Sequence, residues 1–312
     1  MASTSAVGTT QNNPNYLGMV FEVGQNATPF LNMLGGLNGA RPVTSWNFAV
    51  NSNYALDTAS QPAITEHASV TGVTTSTYAR AQAENAIQIF QRRVDISYAN
   101  ESDYSTLAGV PAWAGANFVT DKRSEQLAIN RRQLAVDLDY TLINGAYVQK
   151  TASNVASKTR GLTNAISTNS VDASAGALSK TLFNSLTKTM VDNGADLNNG
   201  QCVVLVNSSK KQELSSIFGL QERSNTVGGV NVEVIATDFG NLNVVYAPAV
   251  AQTEVIIADM SVCSLAVLPV RGQALIVEQL AKTGASDPYS IYGQMGLDYG
   301  YEAKHGKITN LA

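Results

Sequence analysis

"TYARAQAENAIQIFQRRVDIS", residues 77–97, alternates with a period of two and yet has little to alternate against. From Ala79 to Ile89 the odd positions run Ala79, Ala81, Ala83, Asn85, Ile87 and Ile89, while the even positions include Arg80, Gln82, Glu84 and Gln88. That spacing predicts a strand, because successive strand side chains point to opposite faces. The apolar face begins with three alanines, which have little surface to bury, and the other face carries charge and amide. Such a strand has to rest on something.

Its flanks do not supply that support. Residues 41–97 are extended in character, from "RPVTSWNFAVN" through the polar "NSNYALDTASQPAITEH" to the quoted stretch. Pro62 and Gly72 suit turns, and Val, Thr, Tyr and Ile favour strands, so a long hairpin is expected over 41–97. An isolated two-stranded ribbon with so little apolar surface is not stable by itself. Residues 1–40 hold one charged side chain, Glu22, with Tyr16, Phe21, Phe30 and Leu31 scattered among Asn, Thr and Gly. Disorder goes with high charge and few aromatics, so this segment reads as an arm whose apolar anchors order it on another surface. It contains no Lys, and the first Arg is Arg41, so it is not a basic arm that condenses nucleic acid.

A chain of 312 residues is long enough for two subdomains. Charged residues make up only 14% of it, against roughly 25% in an ordinary soluble protein. Uncharged polar surface is easier to dehydrate than charged surface, which suits an exterior that other molecules will cover. The net charge of −4 argues against a grip on phosphates and leaves at most weak or indirect contact with nucleic acid. No basic, apolar leader opens the sequence, and no apolar run approaches about 18 residues, so neither export nor a membrane partner is expected. Cys202 in "QCVVLVN" and Cys263 in "SVCSLAV" are expected to be buried thiols in a reducing cytoplasm rather than a disulfide.

Residues 117–145, "NFVTDKRSEQLAINRRQLAVDLDYTLING", predict a long helix entered near Thr120 or Asp121 and stopped at Asn144-Gly145. Leu127, Leu134, Leu138 and Leu142 form one stripe, and Ile129, Val136 and Ile143 form another on the opposite side, so the helix is expected to be packed from both. From 176 to 270 the pattern is that of a compact mixed unit. A helix carries Leu178, Leu182, Leu186 and Met190, "CVVLV" is a buried strand, a second helix opens on a capping box of Ser209 and Gln212, and short strands follow to "VCSLAVLPV". The ending "GQMGLDYGYEAKHGKITNL" alternates Met295, Leu297, Tyr299, Tyr301, Ala303 and His305 against Gln294, Asp298, Glu302 and Lys304, and predicts one long strand with a wet face.

A search for chemistry finds little. His67 and His305 have no Cys, Asp or Glu at metal-ligand spacing, and no phosphate loop or nucleophile elbow occurs. Asp137 and Asp139 sit two apart on the long helix and diverge by about 200°, so they read as solvated or salt-bridged. Neither a catalytic centre nor a cofactor or metal site is expected.

Taken in order, "NAIQIFQRRVDIS", "LAINRRQLAVDLDYTLING", "TRGLTNAIS" at 159–167 and "GLDYGYEAKHGKITNL" give the chain a resemblance to the major capsid proteins of tailed double-stranded DNA bacteriophages, with the Hong Kong 97-type fold. The resemblance implies an α+β chain with an N-terminal arm (1–40), an extended β-hairpin loop (41–97), a peripheral domain with a spine helix (98–165), an α/β axial domain (166–270) and a return to the peripheral domain with a C-terminal strand (271–312). It implies a homo-oligomer of hexamers and pentamers in an icosahedral virion shell, assembled in the host bacterial cytoplasm. The loop would lie on a neighbouring copy, with intersubunit contacts expected at Tyr16, Phe21, Phe30, Trp46, Tyr78, Arg80, Glu84, Arg92 and Arg93. Separate scaffolding, portal and cement proteins are the other partners implied. Some relatives cross-link subunits through a Lys on the loop, but the first Lys here is Lys122, so shells without that bond are expected. The alternatives are an encapsulin-type compartment sharing the fold and, from a different class, a hydrolase with an α/β core at 176–270.

Overall fold

The computed structural model describes residues 27–54, 57, 59–99, 122–218, 234–282 and 284–312. In chain order the elements are α1 (Pro29–Met33), β1 (Arg41–Pro42), β2 (Asn47–Tyr54), α2 (Glu66–Thr71), β3 (Arg80–Ala86), β4 (Gln88–Ser97) and α3 (Lys122–Asn144). They continue with α4 (Leu162–Ala165), β5 (Ser170–Asp172), α5 (Lys180–Asp192), β6 (Cys202–Val206), α6 (Ser208–Phe218), β7 (Val234–Thr237), β8 (Gly240–Tyr246) and β9 (Val255–Asp259). The chain closes with β10 (Ser264–Val267), β11 (Leu275–Gln279), β12 (Ser286–Asp298) and β13 (Gly306–Thr309).

The alternating stretch is two strands rather than one. Ala79 and Ala81 are exposed, and burial begins at Asn85, Ala86 and Ile87, with the odd-numbered Asn85 and Ile87 inside; from Phe90 the even positions turn inward, with Phe90, Val94 and Ile96 buried and Ile89 exposed. The phase flips where the backbone leaves one sheet for another, with Ile87 N–H donating to Trp46 O at 2.8 Å. Before the flip β3 pairs, among the described residues, only with β2, in an antiparallel ribbon bulged between Ala49 and Asn51. After it β4 runs along β12 from Gln88↔Met295 to Ser97↔Ser286.

β12 organises the first sheet, with β4, β10 and β11 hydrogen-bonded to it and β1 parallel to β10. The long helix α3 packs against β4 and β12. Leu134, Leu138 and Leu142 are buried as one stripe, while of the second stripe Ile143 is buried and Ile129 and Val136 are half-buried, so cover on both sides is complete only at the C-terminal turns. The expected start at Thr120 or Asp121 lies outside the described residues; the end is as expected, with Gly145 N–H closing the last turn on Thr141 O. There the chain crosses itself. A Cβ on Gly145 would sit 2.5 Å from Thr159 O and one on Gly161 2.4 Å from Gly145 N, so two glycines are what allow "TRGL" to lie on the helix end.

The second sheet has the order β5-β13-β9-β6-β8-β7. Every residue of β6 and β9 is buried. One face, with Cys202, Val204, Val206 and Ile257, meets Phe183, Leu186 and Met190 of α5 and Leu214 of α6. The other, with Val203, Leu205 and Ile256, joins the core that contains α3 and the first sheet. The two sheets therefore share one interior.

Three expectations are corrected by this arrangement. The C-terminal stretch is not one strand: β12 ends at Asp298, Gly300 turns with φ +62° in contact with Val262, and a short 3-10 turn at Glu302–Lys304 leads into β13. β13 belongs to the second sheet, between β5 and β9, and β10 belongs to the first, so sheet membership does not follow the expected boundary near 270. Residues 29–34, expected in a detached arm, are part of the body. Phe30, Leu31 and Leu34 are buried in the first core, and Leu31 N–H donates to Asp139 Oδ1 at 2.7 Å. Asp139 is thus not a solvated acid. Burial pushes its carboxyl up to about 6, against the opposing pull of the Leu31 and Phe30 N–H groups.

A candidate assembly surface

The ribbon divides sharply along its length. At its root Phe48, Val50, Asn85 and Ala86 are buried. Beyond Asn51 on β2 and Ala83 on β3 no described residue is buried. Helix α2 near the tip, capped by Thr65 Oγ1 accepting from Ala68 N–H, has no buried face at all. Apolar side chains stand in the open there: Val70 is 82% exposed, Ile64 59% and Val73 55%. A short helix with no covering surface gains little from its own hydrogen bonds.

The candidate residues fall into three groups. Tyr16 and Phe21 lie outside the described residues. Tyr78, Arg80 and Glu84 lie on the exposed ribbon, Tyr78 OH donating to Asp57 Oδ2 at 3.2 Å and Arg80 to Ser52 Oγ at 2.6 Å. Phe30, Trp46, Arg92 and Arg93 are engaged within the chain. Phe30 is fully buried in its own core and so is not an anchor for a neighbour. Trp46 is half-buried, with Lys150 Nζ 4.2 Å over its ring. Arg92 pairs with Asp137 of α3 at 2.6 Å, and Arg93 with Asp95 of its own strand at 3.5 Å, so each guanidinium has a carboxylate beside it in its own chain.

Two clusters that periodicity and motif do not reveal hold this geometry. Around the end of β4, Asp287 takes Lys282 at 2.6 Å and Arg123 at 3.1 Å, while Lys282 also donates to Tyr98 OH at 2.9 Å. The Lys282 hydrogen bond, aided by the Arg123 charge, holds the Asp287 carboxyl below the usual range, and the same contacts raise Lys282. These groups tie the start of α3 to the β11–β12 hairpin. Asn85 holds the ribbon root, and its one signal in the sequence is an amide in the apolar phase of an alternating strand.

The two cysteines and the buried histidine are held within the body. His305 is buried, with Nδ1 accepting from Asp259 N–H at 3.1 Å and Nε2 meeting Tyr299 O at 2.7 Å. Both ring nitrogens are engaged by backbone, and desolvation lowers the pKa. Cys202 and Cys263 are free; burial pushes Cys202 up to about 12 and raises Cys263 as well, which makes both poor nucleophiles. Among the described residues no group of three or more His, Cys, Asp or Glu could hold a metal ion, and no helix is long and apolar enough to cross a membrane.

A body of two sheets sharing one interior, a long helix beside them and a ribbon reaching out unsupported define a Hong Kong 97-type capsid chain. The comparisons agree. Over 100% of both chains it superposes on the capsid of the native GTA particle with a TM-score of 0.64 at 14% identity. The capsid of cyanophage A-1(L) matches with 0.63 at 11% identity over 95% of each chain. The SrpI encapsulin of Synechococcus elongatus PCC 7942 matches with 0.52 at 12% identity, covering 87% of this chain and 84% of that one. At these identities the likeness is one of fold. No curated protein sequence matches. The model of the SU10 major capsid protein family matches residues 3–312, and the chain belongs to that family.

Proposed function

We propose that copies of this major capsid protein assemble into an icosahedral shell of hexamers and pentamers enclosing the double-stranded DNA of a tailed bacteriophage, and that the ribbon of each copy lies on its neighbour. The observation that carries this reading is the outer ribbon, where no described residue between Asn51 and Ala83 is buried although Ile64, Val70, Val73 and Tyr78 are exposed. Within one chain the hydrogen bonds of that segment are exposed and no burial among the described residues helps them offset the entropy of holding it in place. Laid over a second copy, its alanines allow close approach and its Arg, Gln and Glu find partners. The first sheet with α3 is the peripheral part and the second sheet with α5 and α6 the axial part. The role is structural rather than enzymatic. The sparse charge fits a loose relation to packaged DNA, with scaffolding, portal and cement supplied by other proteins in the host bacterial cytoplasm.

Contacts around an axis close into rings, and a subunit touching several neighbours gains from multivalency. The test is to replace Tyr54–Arg80 by Asn-Gly, a two-residue turn that joins the paired Asn53 and Ala81. The shortened chain should stay folded and form no shells by electron microscopy; normal shells from it would overturn the reading. Because the ribbon carries no lysine, mature particles should also run as single chains on a denaturing gel, without a ladder of covalent oligomers. The similarity to an encapsulin supports a second reading, a protein-filled compartment. Nucleic acid inside purified particles favours the first reading, and protein cargo favours the second.

A further inference from the structure

Asn85 is the last fully buried polar side chain before the ribbon leaves the body. Its Nδ2 donates to Leu297 O at 2.7 Å and to Arg160 O at 3.0 Å. Its Oδ1 accepts from Arg160 N–H at 2.7 Å and from Ala86 N–H at 2.8 Å. Two donors and two acceptor sites are all that an amide side chain has, and every one is used. The partners belong to three segments far apart in sequence: the ribbon root, the turn that crosses the end of α3, and β12.

The surrounding contacts serve the same junction. Thr159 Oγ1 accepts from Leu297 N–H at 3.1 Å, and Thr159 N–H reaches Gln88 Oε1 at 3.3 Å. Gly296 lets β12 approach, since a Cβ there would lie 2.8 Å from Ala86 O. One further bond holds the opposite strand, from Asn51 Nδ2 to Gly300 O at 3.0 Å. Past these points no described residue of the outer ribbon is buried.

We infer that Asn85 is a positioning residue for assembly: its four hydrogen bonds set the angle at which the ribbon leaves the body, and through that angle the curvature at which copies join. The inference rests on the reading that the ribbon lies on a neighbour. A buried polar group satisfied on every side fixes one geometry, where apolar packing tolerates several. The lever is long: at about 3.3 Å per residue Arg80 lies roughly 17 Å from Asn85, so a tilt of about 5° moves it by about 1.5 Å. That is enough to break hydrogen bonds to a neighbour.

The test compares Asn85→Ala with Leu205→Ala, a core truncation in the second sheet, at temperatures chosen so that equal fractions are folded. Asn85→Ala should give particles of mixed diameter or open sheets by electron microscopy, while Leu205→Ala gives uniform particles of wild-type diameter. Hydrogen exchange should quicken at least tenfold at Ser52–Tyr54 and Ala81–Ala83 in Asn85→Ala and not in Leu205→Ala. Uniform particles of normal diameter from Asn85→Ala would overturn the inference, as would exchange rising equally in ribbon and body. If Asn85→Ala does not fold, Asn51→Ala, which removes one half-exposed bond at the same junction, should broaden the diameters to a smaller degree, and unchanged particles from that variant would overturn the inference just as surely. Shells built by the chain lacking residues 54–80 would instead defeat the underlying functional reading, so the two failures are told apart.

Discussion

The ribbon and the second sheet are built from the same kind of element with opposite outcomes. In β6, "CVVLV", all residues are buried, one set against α5 and α6 and the other against the core shared with α3. In β3, "RAQAENA", burial is complete only for Asn85 and Ala86, the last two residues. β6 keeps its stabilisation inside one chain. The ribbon commits eight residues of β2 and seven of β3 to a surface that the chain leaves largely uncovered. Cohesion of the fold and cohesion between copies are therefore carried by different segments, and substitutions should separate them.

The largest expected effect falls on the sheet. Leu205→Ala empties a fully buried site and should cost about 2–5 kcal/mol in urea unfolding, with the folded fraction still building normal particles. A loss below about 1 kcal/mol would break the contrast between the regions.

Next comes Asp139, which joins α1 to the spine. Its pKa rises from 3.8 to about 6 on folding. The stability it contributes is full below 3.8 and is lost as pH climbs through about 6. Asp139→Asn should therefore gain on the wild type between about pH 4 and pH 7, by on the order of 2–3 kcal/mol. Urea titrations at a series of pH values check this; a difference that does not change with pH would show that the carboxyl is not held protonated by its surroundings.

The smallest change in stability is expected at the ribbon tip. Val70→Ser, at the most exposed of these sites, should alter unfolding by less than about 0.5 kcal/mol and still lower the yield of particles in a concentration series. Equal yields would mean that the tip is not a contact.

Much of this is legible in the residues. The alanine face of 79–83 announces a strand without a core of its own, and the helix end at Asn144-Gly145 and the buried run at 202–206 follow from local pattern. What is not legible is whatever depends on which face gets covered. A period of two says nothing of where its phase will flip, so the break at Ile87 stays hidden. Alternation through residues 294–305 likewise conceals the turn at Gly300, because Tyr299, Ala303 and His305 are buried in a bend rather than along a strand. Phe30 looks like an anchor for a neighbour because a short apolar cluster gives no sign that its own spine will receive it. Arg92 can be read as a charge seeking a partner, but the sequence does not say that the partner, Asp137, stands on α3 of the same chain.

β13 has one more consequence, for the order of events during synthesis. The second sheet is threaded from both ends of the later chain: Ser170 pairs with Lys307, and among the described residues no strand other than β13 takes β5. A growing polypeptide on the ribosome can make α5 and the β6–β8 pair early, but it cannot close that sheet until residues 306–309 have emerged. Premature stops a few codons before this point should yield chains that aggregate instead of folding, since an open edge beside β9 is left for strangers to pair with.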